Sequence, residues 1–118
     1  MDDQQRYRNR SLWLDGALAQ FSPRPQLHGE REVDVAIVGA GYTGLWIAYA
    51  LTLRDRRLRI AIAEAETVGY GASGRNGGFV SAGISGEARV YDRIQGPDGV
   101  ARAERAMIEG IDWIGDAV

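Results

Sequence analysis

The chain has 118 residues and a formal charge of −2, with 14 basic residues, all arginine, against 16 acidic ones. Hydrophobic residues make up 45% and charged residues 25%, the balance of an ordinary globular protein of at most one domain, and the near-neutral charge argues against a general nucleic-acid binder. The lack of cysteine excludes, within this chain, a disulfide scaffold, a Cys-ligated metal and a thiol nucleophile, and the single histidine, His28, argues against a Ser-His-Asp triad or a multi-His metal site.

The first ten residues are polar, and no apolar run follows within signal-peptide range, so a cytoplasmic location is expected. Residues 1–32 read as an N-terminal arm. Ser11 to Leu18 fits a short helix with Ser11 as its N-cap, ended by Pro23 and Pro25. Leu14, Leu18 and Phe21 are expected to cover a neighbouring surface, and Trp13 to pack.

Residues 33–118 read as the N-terminal part of an α/β domain. Val33 to Val38 is short and β-branched, the mark of a buried strand. Tyr42 to about Leu53 fits a helix that is apolar nearly all round, as expected of one sandwiched within a larger protein. Arg54, Arg56, Arg57 and Arg59 then fall at its C-terminal end, where cations suit the helix dipole. Arg59 to Glu64 reads as a second strand, so strand, helix and strand form a βαβ unit with parallel strands. A competing reading takes the uncharged run Val35 to Leu53, with its arginine flank, as a single membrane span. The fixed glycine spacing and the second apolar segment soon after it speak against that.

Residues 65–86 read as a long glycine-rich loop. Val100, Ala103, Met107, Ile111, Ile114 and Val118 recur at helical spacing and predict an amphipathic helix, introduced by the turn Gly96-Pro97-Asp98-Gly99. That pattern still runs at Val118, and two parallel strands do not make a stable sheet alone. The segment is therefore expected to be the front part of something longer, incomplete at its C-terminal side.

Gly39-Ala40-Gly41-Tyr42-Thr43-Gly44 is a G-x-G-x-x-G sequence between a predicted strand and a predicted helix, the context that gives this pattern its meaning. Gly39 permits the tight turn, Gly41 lets a pyrophosphate approach the backbone, and Gly44 lets helix and strand pack closely. The helix N-terminus offers N–H groups and a partial positive charge to phosphates. Glu64, at the end of the second strand, is placed to accept hydrogen bonds from a ribose hydroxyl and to repel a 2′-phosphate. Glu66 is a competing acid two residues on. In Gly71-Ala72-Ser73-Gly74-Arg75-Asn76-Gly77-Gly78, glycines open the backbone to a ligand, Ser73 and Asn76 supply neutral donors, and Arg75 supplies a cation.

Residues 33–83 resemble the N-terminus of the FAD-dependent amine and amino-acid oxidoreductases of the D-amino-acid oxidase-like superfamily. Val68 to Gly78 is similar to the V-G-x-G-A-S-G-R-N-G-G segment of its gamma-glutamylputrescine oxidase-like branch, and Ser11-Leu12-Trp13-Leu14 resembles that branch's leader. The resemblance implies a Rossmann-like FAD-binding domain in a protein several times longer. It implies oxidation of a C–N bond in a small-molecule amine or amino acid, by hydride transfer to the flavin. It places FAD on Gly39, Gly41, Gly44, Glu64, Ser73, Arg75, Asn76, Gly77 and Gly78. No catalytic residue can be matched, no metal, membrane or nucleic-acid partner is implied, and the 118 residues alone are expected to be inactive. The alternative from a different class is a non-catalytic dinucleotide-binding module.

Overall fold

The computed structural model describes residues 10–17 and 24–118. The predicted roles of Leu18, Phe21 and Pro23 lie outside the described residues. The chain divides into two compact units, residues 1–77 and residues 78–118, and the division falls inside the glycine-rich segment.

The first unit opens with α1 (Leu12–Ala17). Its start is set as the sequence predicts: the Ser11 hydroxyl accepts the Leu14 N–H at 3.0 Å, satisfying a first-turn donor that has no partner within the helix. Leu14 is the residue α1 buries, at 8% exposure, while Leu12 and Trp13 remain exposed.

β1 (Val35–Val38) and β2 (Ile60–Ala63) form a parallel two-stranded sheet in the register Val35 to Ile60 and Val38 to Ala63. α2 (Tyr42–Arg54) connects them, so the β–α–β order of the sequence reading holds. Both strands are shorter than predicted, for a local reason. The Asp34 carboxylate accepts the Arg59 backbone N–H at 2.8 Å and grips the guanidinium through Nη2 at 2.9 Å and Nε at 3.2 Å. A side chain thus takes a donor at the start of the ladder, while the Arg59 carbonyl accepts the N–H groups of both Asp34 and Val35. At the other end the ladder continues into the turn, where Gly39 N–H donates to the Ala63 carbonyl at 2.8 Å.

α2 stops at Asp55, whose backbone is extended and whose Oδ1 accepts the Arg57 N–H at 2.9 Å, an Asx turn that competes with helix propagation. Two of the four clustered arginines are paired: Arg57 bonds Asp55, and Arg59 bonds Asp34 with Glu32 at 3.8 Å. On α2 itself Gly44 is buried, Trp46 and Tyr49 meet edge to face at 5.6 Å, and Leu45, Ile47, Tyr49 and Leu53 are exposed.

The membrane-span reading is corrected here. Val35 to Leu53 is broken into a strand, a glycine turn and most of a 13-residue helix. Among the described residues no helix is long and apolar enough to cross a membrane. Glycines at fixed spacing turn the chain back toward the sheet rather than continuing one apolar rod.

The second unit is a helix pair, α3 (Ala88–Gln95) and α4 (Gly99–Ala117). α4 matches the predicted stripe: Val100, Ala103, Ile111 and Ile114 are half-buried, although Met107 and Val118 are exposed. α3 has no counterpart in the sequence reading. The helices join at Gly96, with φ +82°, and approach at Gly99, where a Cβ would lie 2.9 Å from the Tyr91 carbonyl oxygen. The Tyr91 hydroxyl donates to the Ser85 carbonyl at 2.6 Å, bracing the chain ahead of α3.

Candidate cofactor site

The turn between β1 and α2 is built from backbone. Gly39 has φ +99°, a conformation that L side chains rarely adopt. Ala40 is 2% exposed and both of its backbone polar groups are bonded: its N–H donates to Glu64 Oε2 at 2.8 Å, and its carbonyl accepts the Gly69 N–H at 2.9 Å. Gly44 closes the turn against the strand. A Cβ there would collide with the Gly39 carbonyl oxygen and lie 3.1 Å from Ile37 Cγ2, so the close-packing role assigned to Gly44 holds.

Gly41 is the N-cap of α2 and has no side chain with which to cap it. The cap comes instead from the glycine-rich segment: Ser73 Oγ accepts the Tyr42 N–H at 2.9 Å. A Cβ on Gly41 would sit 2.9 Å from that same oxygen. Ser73 lies in a short 3-10 turn, Ala72–Gly74, which is folded tightly because Gly74 faces the Gly69 carbonyl with no room for a Cβ. Gly39, Gly41, Gly44, Glu64 and Ser73 are therefore brought together around the N-terminus of α2.

Glu64 is an ionised acceptor in this arrangement. Its two oxygens take the N–H groups of Ala40 at 2.8 Å and Glu66 at 3.0 Å. These bonds, Ala40 first, hold its carboxyl below the ordinary glutamate range despite some desolvation. Each carboxylate oxygen has a further lone pair for a hydroxyl donor. Glu66 uses its backbone N–H to brace Glu64.

The remaining predicted residues lie further along the segment. The Arg75 guanidinium sits over the Tyr70 ring, 4.7 Å from its centroid. The Asn76 side-chain amide donates to the Ser73 carbonyl at 2.6 Å and reaches the Ala72 carbonyl at 3.4 Å, so it braces the 3-10 turn. Gly77 is exposed at the end of the first unit. Gly78, exposed with φ +78°, begins the second unit. The sequence reading missed Ala40, Gly69 and Tyr70 as members of the site. The glycine at position 69 was a usable signal, since its φ is +74°; the Tyr70–Arg75 stacking has no periodic signature. Among the described residues no three acidic or histidine side chains gather in a way that could hold a metal ion.

A glycine turn, a helix N-terminus, a hydroxyl beside it and an acid at the neighbouring strand end are features with which a nucleotide diphosphate is commonly bound. Residues 34–117 match the family described as FAD dependent oxidoreductase, and the chain belongs to that FAD-dependent family. Over 108 residues it is 33% identical to gamma-glutamylputrescine oxidoreductase of Escherichia coli (strain K12), a match covering 92% of this chain and 25% of that protein. It is 32% identical over 99 residues to the probable oxidoreductase OrdL of Haemophilus influenzae, covering 84% of this chain and 22% of the relative. A probable oxidoreductase OrdL of Rhizobium meliloti is 38% identical over 71 residues, 60% of this chain and 16% of that one. The chain thus spans a quarter or less of the length of these relatives. No solved structure matches it significantly.

Proposed function

We propose that this chain supplies the diphosphate- and ribose-binding part of an FAD-binding domain of Rossmann type, within an oxidoreductase that oxidises a C–N bond of an amine or amino acid. The observation that carries the reading is the double closure of the glycine turn: Ser73 on the Tyr42 N–H, and Glu64 on the Ala40 N–H. One closure places a hydroxyl at the positive end of α2, and the other places a carboxylate at the end of β2. Support for the substrate class comes from the relative named for gamma-glutamylputrescine, a derivative of a diamine.

The residues present fit the cofactor. Gly39, Gly41 and Gly44 would leave the backbone open to the diphosphate, with the dipole of α2 behind it. Ser73 Oγ, accepting from Tyr42, has its own proton to donate to a phosphate oxygen. Arg75 would offset phosphate charge, and its seat on Tyr70 limits the conformational freedom it must lose to do so. Glu64 would accept from the ribose hydroxyls. Asn76, Gly77 and Gly78 would carry the chain onward along the cofactor. Bound FAD would supply a hydride acceptor for the carbon that bears the amine. The substrate would be a small molecule rather than a nucleic acid, and the location cytoplasmic.

The test uses the intact protein. Gly41→Val places a branched side chain between the turn and Ser73, and flavin content should fall to background. The parent protein should bleach anaerobically with at least one member of a panel of primary and secondary amines. Full flavin retention in Gly41→Val would remove the assigned turn. Flavin that is bound but never bleached would favour a non-catalytic dinucleotide module. The 118 residues alone are expected to hold FAD weakly and to turn over nothing.

A further inference from the structure

We propose that Trp13 is a positioning residue for flavin binding, acting from the N-terminal arm on the backbone of the Ser73–Gly77 segment; this rests on the FAD reading above. Its indole Nε1–H donates to the Asn76 backbone carbonyl at 2.9 Å, across 63 residues of sequence. Burial does not account for the indole, which is 51% exposed; α1 is seated by its neighbour Leu14 at 8%. The seam is not packed solid either. A pocket of about 230 Å³ runs along it, lined among others by Trp13, Arg75 and Asn76. The directional hydrogen bond is, among the described residues, a direct link between the segment and the arm.

Two features give that link leverage. On the arm, the Ser11 hydroxyl holds the first turn of α1, which contains Trp13, through the Leu14 N–H at 3.0 Å. On the segment, Asn76 hands the restraint on: its amide donates to the Ser73 carbonyl at 2.6 Å, and Ser73 Oγ accepts the Tyr42 N–H at 2.9 Å. A continuous series of bonds thus runs from Trp13 through Asn76 and Ser73 to the N-terminus of α2, where the diphosphate is assigned. Loss of the first bond removes one restraint on the Asn76 backbone, and with it one restraint on the series that ends at the Ser73 hydroxyl.

The test compares the intact parent protein with Trp13→Phe, Trp13→Ala and Gly41→Val. FAD affinity is measured by fluorescence titration of the apoprotein, the setting of the bound ring by visible circular dichroism, and apoprotein stability by thermal melting. Trp13→Phe keeps the aromatic body and deletes the donor. It should weaken FAD binding roughly three- to tenfold, the size of one net hydrogen bond, and alter the flavin dichroism, while apoprotein melting falls by no more than the loss of that one bond. Trp13→Ala should add little further loss. Parent-like affinity and dichroism in Trp13→Phe would overturn the proposal, as would a loss of affinity with parent-like flavin dichroism, which marks a merely structural role. If the parent fails to bind FAD, or Gly41→Val binds it fully, the cofactor reading fails and takes this proposal with it. If those two behave as expected and only Trp13→Phe is silent, the proposal alone fails.

Discussion

Ala40 donates its N–H to the Glu64 carboxylate at 2.8 Å, across 24 residues of sequence. The bond ties the glycine turn after β1 to the end of β2. It is charge-assisted, and hence stronger than a neutral pair, and it meets a residue that is 2% exposed. The acid assigned to the ribose is thus also a brace of the turn assigned to the diphosphate.

That dual role gives a pH dependence. The Ala40 and Glu66 N–H groups hold the Glu64 carboxyl below its ordinary value. A carboxyl depressed in the folded state stabilises the fold fully above its unfolded pKa, and the contribution is lost as pH falls through the folded pKa. Glu64→Gln should lower the urea midpoint at neutral pH. The gap between variant and parent should close as the pH drops through the lowered value. A gap independent of pH would show that the carboxylate charge is not what braces the turn.

The ion pair at the other end of the sheet gives a second titration. Arg59 brings the Asp34 carboxyl down to about 2, through side-chain and then backbone hydrogen bonds. The contribution of Asp34 should be fully present above the ordinary aspartate range and should vanish as pH falls through about 2. Arg59→Lys keeps the charge but loses the two-pronged grip through Nη2 and Nε. NMR titration of Asp34 in that variant should show its midpoint moving up toward the ordinary value; an unmoved midpoint would mean that charge alone sets it.

Gly44→Ala should destabilise the protein by about 1–3 kcal/mol, the usual cost of overpacking. The obstacle is mainly the Gly39 carbonyl, which is backbone and cannot swing aside, with Ile37 Cγ2 second at 3.1 Å. Removing the Ile37 side chain should therefore not rescue the variant. A double-mutant cycle by urea denaturation checks this. A double variant Ile37→Ala/Gly44→Ala more stable than Gly44→Ala would show that the side chain, not the turn, sets the limit.

The parts of the fold legible in the sequence were those in which local pattern and tertiary demand coincide. β1, α2 and β2 follow from a β-branched run, an apolar helix and a second short strand, with glycines at fixed spacing between. Gly44 was legible because helix–strand packing needs a missing Cβ at that position. α3 was missed although Val90, Tyr91 and Ile94 fall at helical spacing: Ala88–Gln95 is 8 residues long, too short for the pattern to stand out after the glycine-rich stretch. The strand ends were misjudged because Asp34 looks like a strand residue until its side chain is seen taking the Arg59 N–H. Within the site, Gly39, Gly41, Glu64 and Ser73 gather around the N-terminus of α2. The bond from the Asn76 amide to the Ser73 carbonyl was not legible. Trp13, read as packing, proves to spend its indole N–H on Asn76. Such long-range side-chain to backbone bonds leave no periodic trace.

The bond from Tyr42 to Ser73 can be broken from either side. Ser73→Ala removes the acceptor and leaves a first-turn N–H of α2 without its cap, at a cost of about 0.5–2 kcal/mol. Gly41→Ala breaks the same bond indirectly. Its backbone, φ −86° and ψ −177°, suits alanine, so no conformational strain is added. The new Cβ would lie 2.9 Å from Ser73 Oγ, and the hydroxyl must rotate off the Tyr42 N–H to make room. Each single substitution should therefore destabilise the protein. The double variant Gly41→Ala/Ser73→Ala should be less destabilised than the sum, because its second change removes both the obstructed oxygen and a bond already lost. Strict additivity in a urea-denaturation cycle would mean that the two residues do not meet at the N-terminus of α2.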